Sequence, residues 1–229
     1  MSARSVSTVL VRPLARTLPW RMIAAAGVLG LLLAAAPRLA GDDANVWLAV
    51  TALRTSAVAF ALGAAFLLDD PARHTTAAVP TRRAVRHGLR LALLAPVAAG
   101  YWTGALLLVP GPLRPPAGAV TVEAAAVLAL ALTGSAFALH RGDGVRPGQA
   151  VAGFLLASAV LAPLLTPGSW ALFVAPGDPR WAAGHDRWAL LLCAVLAAGA
   201  VCATEPVRRY RLRGTGLRSP SGTSDPSRA

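Results

Sequence analysis

Arg54 is the ninth residue of an apolar run that opens at Val46, and it is the one charge placed well inside such a run. A central arginine in a bilayer costs at least about 2.5 kcal/mol on insertion scales, so it normally faces a bundle interior or a polar cavity. Thr51, Thr55 and Ser56 surround it in the sequence, making this the most polar part of any apolar run. Glu123, early in a later run from Ala117, is the acid that can answer it. The two depths differ by about one helical turn, which an arginine side chain can reach. Two chemistries fit such a pair: a substrate or gating contact, or a structural ion pair.

No other constellation assembles a reaction centre. His74, His87, His140 and His185 fall in loops or at the ends of apolar runs, which leaves no mid-membrane base, no bis-histidine haem site and no proton relay. Gly134-Ser135-Ala136 lacks the second glycine of an intramembrane serine protease motif. The basic residues are 22 arginines with no lysine, which removes the phosphate-loop lysine and the Schiff-base lysine together. Cys193 and Cys202 share one apolar run and read as small packing residues. No enzyme, cofactor or metal site is expected.

The elements that position Arg54 and Glu123 follow from composition. The 229 residues are 55% hydrophobic and 14% charged, against about 25% charged in soluble domains. A spanning helix needs about 20 apolar residues. Six runs qualify: Met22 to Leu39, Val46 to Leu68, Leu89 to Val109, Ala117 to Leu139, Ala150 to Thr166 and Trp188 to Ala203. The expectation is an all-α, polytopic membrane bundle of six transmembrane helices over residues 22–204. A basic, amphipathic segment (1–21) precedes it and a basic, aperiodic tail (205–229) follows. Five spans with one re-entrant segment is the rival count. Pro37, directly after Ala34-Ala35-Ala36, argues against reading the first run as a cleaved signal. Pro96 and Pro163 lie within spans, where kinks are tolerated; Gly100 and Gly104 form a weak small-xxx-small contact motif.

Short arginine-rich loops stay cytoplasmic. Both termini and the second and fourth loops carry 17 arginines; the opposite loops carry only Arg38, Arg114, Arg180 and Arg187. Both termini are therefore expected in the cytoplasm. The net charge of +12 then tracks topology, with anionic lipid and no nucleic acid as its partner. Most of the six tryptophans sit near span ends, as an interfacial belt would.

Two segments between spans carry more than charge. After Pro80-Thr81, the residues Arg82, Arg83, Arg86, His87 and Arg90 recur at helical spacing. Such a stripe suits lipid headgroups, an acidic groove on a cytoplasmic partner, or a plain stop-transfer role. Between Pro167 and Asp186, the stretch Ser169-Trp170-Ala171-Leu172-Phe173-Val174 is apolar yet too short to span. It fits a segment resting at, or re-entering, the outer interface.

An arginine-only, alanine-rich chain looks like the product of a high-GC bacterial genome. Three features of it resemble small six-span permease subunits of bacterial ABC transporters of the ABC-2 type. They are the basic stretch before the first span, the exit Phe66-Leu67-Leu68-Asp69-Asp70-Pro71-Ala72 before a basic loop, and the apolar segment before the last span. The match is one of layout over about residues 1 to 210. It implies a multi-pass subunit in a bacterial plasma membrane that forms a substrate pathway. It also implies a separate cytoplasmic ATPase docked on the inward loops, and a second permease copy or homologue. The alternative is a non-transport scaffold or regulatory subunit of a membrane complex.

Overall fold

The computed structural model describes residues 16, 18–68, 83–141, 147–167 and 170–203. Among these the fold is all-helical, without strands: α1 Trp20–Ala34, α2 Ala36–Leu39, α3 Val46–Ala65, α4 Arg83–Leu108, α5 Ala117–Arg141, α6 Pro147–Leu165 and α7 Trp181–Ala203. Five of them, α3 to α7, are long and apolar enough to cross a membrane, which points to a multi-pass membrane protein. Helices suit that solvent because every backbone polar group is satisfied within the segment.

The first expected span is built differently from the rest. The fifteen residues of α1 reach about 22 Å at 1.5 Å each, short of a hydrocarbon core about 30 Å thick. Helix resumes after Ala35 as the four-residue α2. Pro37 has no N–H to extend the ladder back to Leu33, so the rod is interrupted there. At two other places the helices outrun the hydropathy. α4 opens at Arg83, six residues ahead of Leu89, because arginine is a good helix former and the single Gly88 weakens the helix without ending it. α7 opens at Trp181 instead of Trp188. The Asp69-Asp70-Pro71 exit, Arg82, the 142–146 turn, the tail and most of the N-terminal segment lie outside the described residues.

Small residues set the packing. α1 lies along α3 so closely that a Cβ on Gly63 would stand 2.5 Å from Ala26 Cβ and 3.1 Å from the Met22 carbonyl. The α1–α3, α5–α7 and α3–α5 contacts are the most extensive, so the helices form a row α1–α3–α5–α7. α6 fits against both α3 and α5, while α4 leans mainly on α1. Among the described residues the core holds three apolar clusters, one of which joins Ala34, Leu53, Ala105, Val109 and Val120 near the α2–α3 and α4–α5 connections.

Those connections meet at one end of the bundle. Arg38 reaches from α2 to the last carbonyls of α4, with Nε donating to Leu108 O at 2.6 Å and Nη2 to Leu107 O at 3.0 Å. Arg114 donates to Val109 O at 3.1 Å. Cations at helix C-termini satisfy carbonyls that have no intrahelical partner. The α6–α7 connection belongs to the same end, since Arg54, in the first half of α3, also bonds to Val174 O.

Candidate functional site

The side chain of Asn45 caps α3, accepting the Leu48 N–H at 2.9 Å. That fixed start sets Arg54 in the third turn, facing α5, and Glu123 sits in the second turn of α5. The structure brings the two together as a two-pronged pair. Arg54 Nε donates to Glu123 Oε2 at 2.6 Å and Nη2 donates to Oε1 at 2.7 Å. Their side chains are 17% and 4% exposed. A planar guanidinium matched to both carboxylate oxygens is the strongest geometry available to such a pair.

His185, read from the sequence as a loop or span-end histidine, is the third member. Its Nδ1 lies 2.8 Å from the Trp181 carbonyl, one turn earlier in α7. A carbonyl only accepts, so Nδ1 carries the proton. The other nitrogen, Nε2, is then aimed at Glu123, 2.9 Å from Oε1. The approach is close but not aligned for a hydrogen bond, and Nε2 is buried without one. It becomes a second ion pair when Nε2 is protonated. The signal for this residue was Asp178-Pro179, a helix-opening pair that places His185 within α7 rather than before it. Asp178 Oδ1 accepts the Arg180 N–H at 2.8 Å and the Asp178 carbonyl accepts the Trp181 N–H at 2.9 Å.

The apolar segment ahead of α7 closes over this cluster as a strap. It is irregular backbone, and its carbonyls are taken by side chains. Arg187 donates to Ala171 O at 3.1 Å, Trp188 Nε1 to Leu172 O at 2.9 Å and Arg54 Nη2 to Val174 O at 3.2 Å. Phe173 stands edge-on to Trp188 at 5.6 Å and lies 5.5 Å from the Arg54 guanidinium carbon. Val174 is buried, and Gly184 makes room for it, since a Cβ there would meet Val174 Cγ2 at 3.1 Å. The expected tryptophan belt is thus divided. Trp47 and Trp170 are exposed at this end, whereas Trp188, on α7, is buried against the strap.

Beneath the strap, α3, α5, α6 and α7 line a partly open cavity of about 180 Å³. Its wall is carbon-rich, with Leu53, Val127, Leu155, Ala159 and Leu191 around it and the Arg54–Glu123 pair at its edge. The neighbours of Arg54 in sequence do not join it. Thr55 is exposed and bonds back to the Thr51 carbonyl at 2.9 Å. Ser56 is buried on the opposite side of α3, 2.6 Å from the Tyr101 hydroxyl. Two residues along a helix are about 200° apart at 3.6 residues per turn, so Arg54 and Ser56 serve different helices.

The basic stripe is brought to α4 only in part. Arg82 lies outside the described residues, and Arg83 and Arg86 are on helical backbone. Arg90 departs from the expectation of a contact surface. It is buried, at 7% exposure, with Nη1 3.4 Å from the Leu67 carbonyl. The end of α3 draws it in, because the turn Phe66–Leu68 leaves terminal carbonyls for a cation. Ser135 likewise serves packing, its buried hydroxyl lying 2.7 Å from Ala65 O and 2.9 Å from Ala131 O. Among the described residues no group of three His, Cys, Asp or Glu side chains is placed to hold a metal ion. No protein-family profile, curated protein or solved structure matches this chain.

Proposed function

We propose that the chain is a six-span permease subunit of an ABC-type transporter in a bacterial plasma membrane. On this reading α1 and α2 together supply the sixth crossing. Both termini face the cytoplasm, and a second copy or a homologue completes the pathway. The observation that carries the proposal is the strap at 170–174. Irregular backbone at membrane depth survives only where protein buries it or a cavity uses it, and interrupted apolar segments mark the binding sites of transporters. Here the side chains that bond to the strap's carbonyls come from α3 and α7, two of the helices that wall the cavity. This chain has no lysine to complete a phosphate loop, so ATP hydrolysis falls to a separate cytoplasmic subunit on the inward loops.

Affinity purification in mild detergent tests the partnership. The tagged chain should retain an ATP-binding subunit, and replacing Arg82, Arg83 and Arg86 together by Gln should weaken that retention or uncouple ATP hydrolysis. Arg90 is left out of the set because it is buried. A chain that purifies alone in several mild detergents, and whose deletion leaves export unchanged, would be a scaffold or regulator instead.

A further inference from the structure

We infer that the partly open cavity lined by α3, α5, α6 and α7 is a binding site for an uncharged apolar molecule about the size of a benzene ring. Three observations carry this. The first is size: about 180 Å³ is close to an engineered cavity of about 150 Å³ that stays dry and binds benzene. The second is the state of the polar groups in the wall. Arg54 and Glu123 hold each other through two hydrogen bonds. The indole N–H of Trp188 is taken by Leu172 O, and that of Trp102 by Thr121 Oγ1 at 2.9 Å. Ser158 adds the one remaining polar side chain of the wall. A buried water needs two to four polar partners, so the wall favours carbon over water. It also disfavours an anion, because the arginine is already neutralised.

The third observation is a way in. A second cavity of about 140 Å³ lies between α3, α4 and α5 and shares Ala57, Trp102 and Ala124 with the first. It sits where α4 leans on α1 and touches α3 only lightly. The first cavity is itself partly open and the second borders it at Trp102, which gives a molecule dissolved in the surrounding apolar phase a side approach. The site goes beyond the transport reading and stands whether or not an ATPase partner exists.

The test uses the full chain in lipid nanodiscs and a trifluoromethyl-phenyl-diazirine as a photoreactive probe. Mass spectrometry should map its adducts to wall residues of α6 and α7, including Leu155, Ala159 and Leu191, and excess benzene should abolish those adducts. Adducts on the exposed faces, at Phe154, Leu164 and Leu190, should persist in benzene. Ala159→Phe, which fills the void, should lose the wall adducts while keeping the exposed ones. Labelling confined to exposed faces, or wall labelling that benzene leaves unchanged, would overturn the site. The native chain alone decides this, so a misfolded Ala159→Phe would not rescue the inference. Wall labelling without a co-purifying ATPase would leave the site standing and remove the permease reading.

Discussion

At the residue scale, the cost of an intramembrane charge explains what holds Arg54. An arginine buried among apolar helices is tolerable when a carboxylate takes two of its donors and a carbonyl takes a third, as Glu123 and Val174 do here. Removing one partner strands the other, so Glu123→Gln should destabilise the protein by about 3–5 kcal/mol. Arg54→Leu in the same chain should recover part of that loss. A double-mutant cycle on detergent-extracted protein, read as the folded fraction after heating, measures the coupling. Coupling near zero would mean that Arg54 is solvated on its own. Arg54 and Glu123 were legible in the sequence because charges in apolar runs are rare and costly. His185 was not: its value as a partner depends on where α7 begins, and hydropathy cannot see a helix whose second turn is His185-Asp186-Arg187. Arg90 misled for the converse reason. Its spacing fits a surface stripe, while the carbonyl that buries it, Leu67, is 23 positions away in the chain.

At the element scale, the strap and the start of α7 form one device. The hydrogen bonds from Arg180 hold the Asp178 carboxyl below its ordinary 3.8, at about 2, and the same contact raises the Arg180 guanidinium. A depressed carboxylate stabilises the fold above its unfolded value, and that contribution is lost as pH falls through the folded one. The stability gap between the native chain and Asp178→Asn should therefore be constant at neutral pH. It should shrink below about pH 4 and be lost as the pH falls below about 2. Thermal unfolding in detergent across that range measures it; a gap that widens on acidification would contradict the contact. Arg180 is exposed and water reaches the pair, so the gap should be small. Helix existence was legible for α3 to α7 because each presents a bilayer's length of apolar residues. Helix ends were not, since Asn45, Asp178 and Pro37 act through capping and backbone geometry rather than hydropathy. The short α1 shows the limit: its apolar run continues through Ala35 to Leu39, but Pro37 divides the helix.

At the scale of the whole molecule, three connections share one end: 40–45, 109–116 and the 166–180 segment with its strap. Arg38, Arg114 and Arg187 sit there, each bonded to backbone carbonyls. Arginines engaged in this way are positioned by unpaired carbonyls, at a helix end for Arg38 and in the strap for Arg187, which explains why an otherwise arginine-poor side keeps any. In the sequence seventeen of the arginines fall within 1–21, 69–90, 140–148 and 205–229, and on the proposed topology that asymmetry puts the opposite end in the cytoplasm. The orientation can be tested after replacing Cys193 and Cys202 by Ala and adding one cysteine at a time. In intact cells an impermeant maleimide should label Asp43→Cys and Asp178→Cys, while Arg83→Cys reacts only after the membrane is opened. The structure demands more than the arginine count does, because positions 43 and 178 must behave alike. Labelling of position 83 from outside, with 43 and 178 both protected, would invert the bundle and put the arginine-rich loops beyond the reach of any cytoplasmic ATPase. Opposite behaviour at 43 and 178 would break the fold itself, because Arg54 could not then pair with Glu123 and hold the strap at the same end of α3.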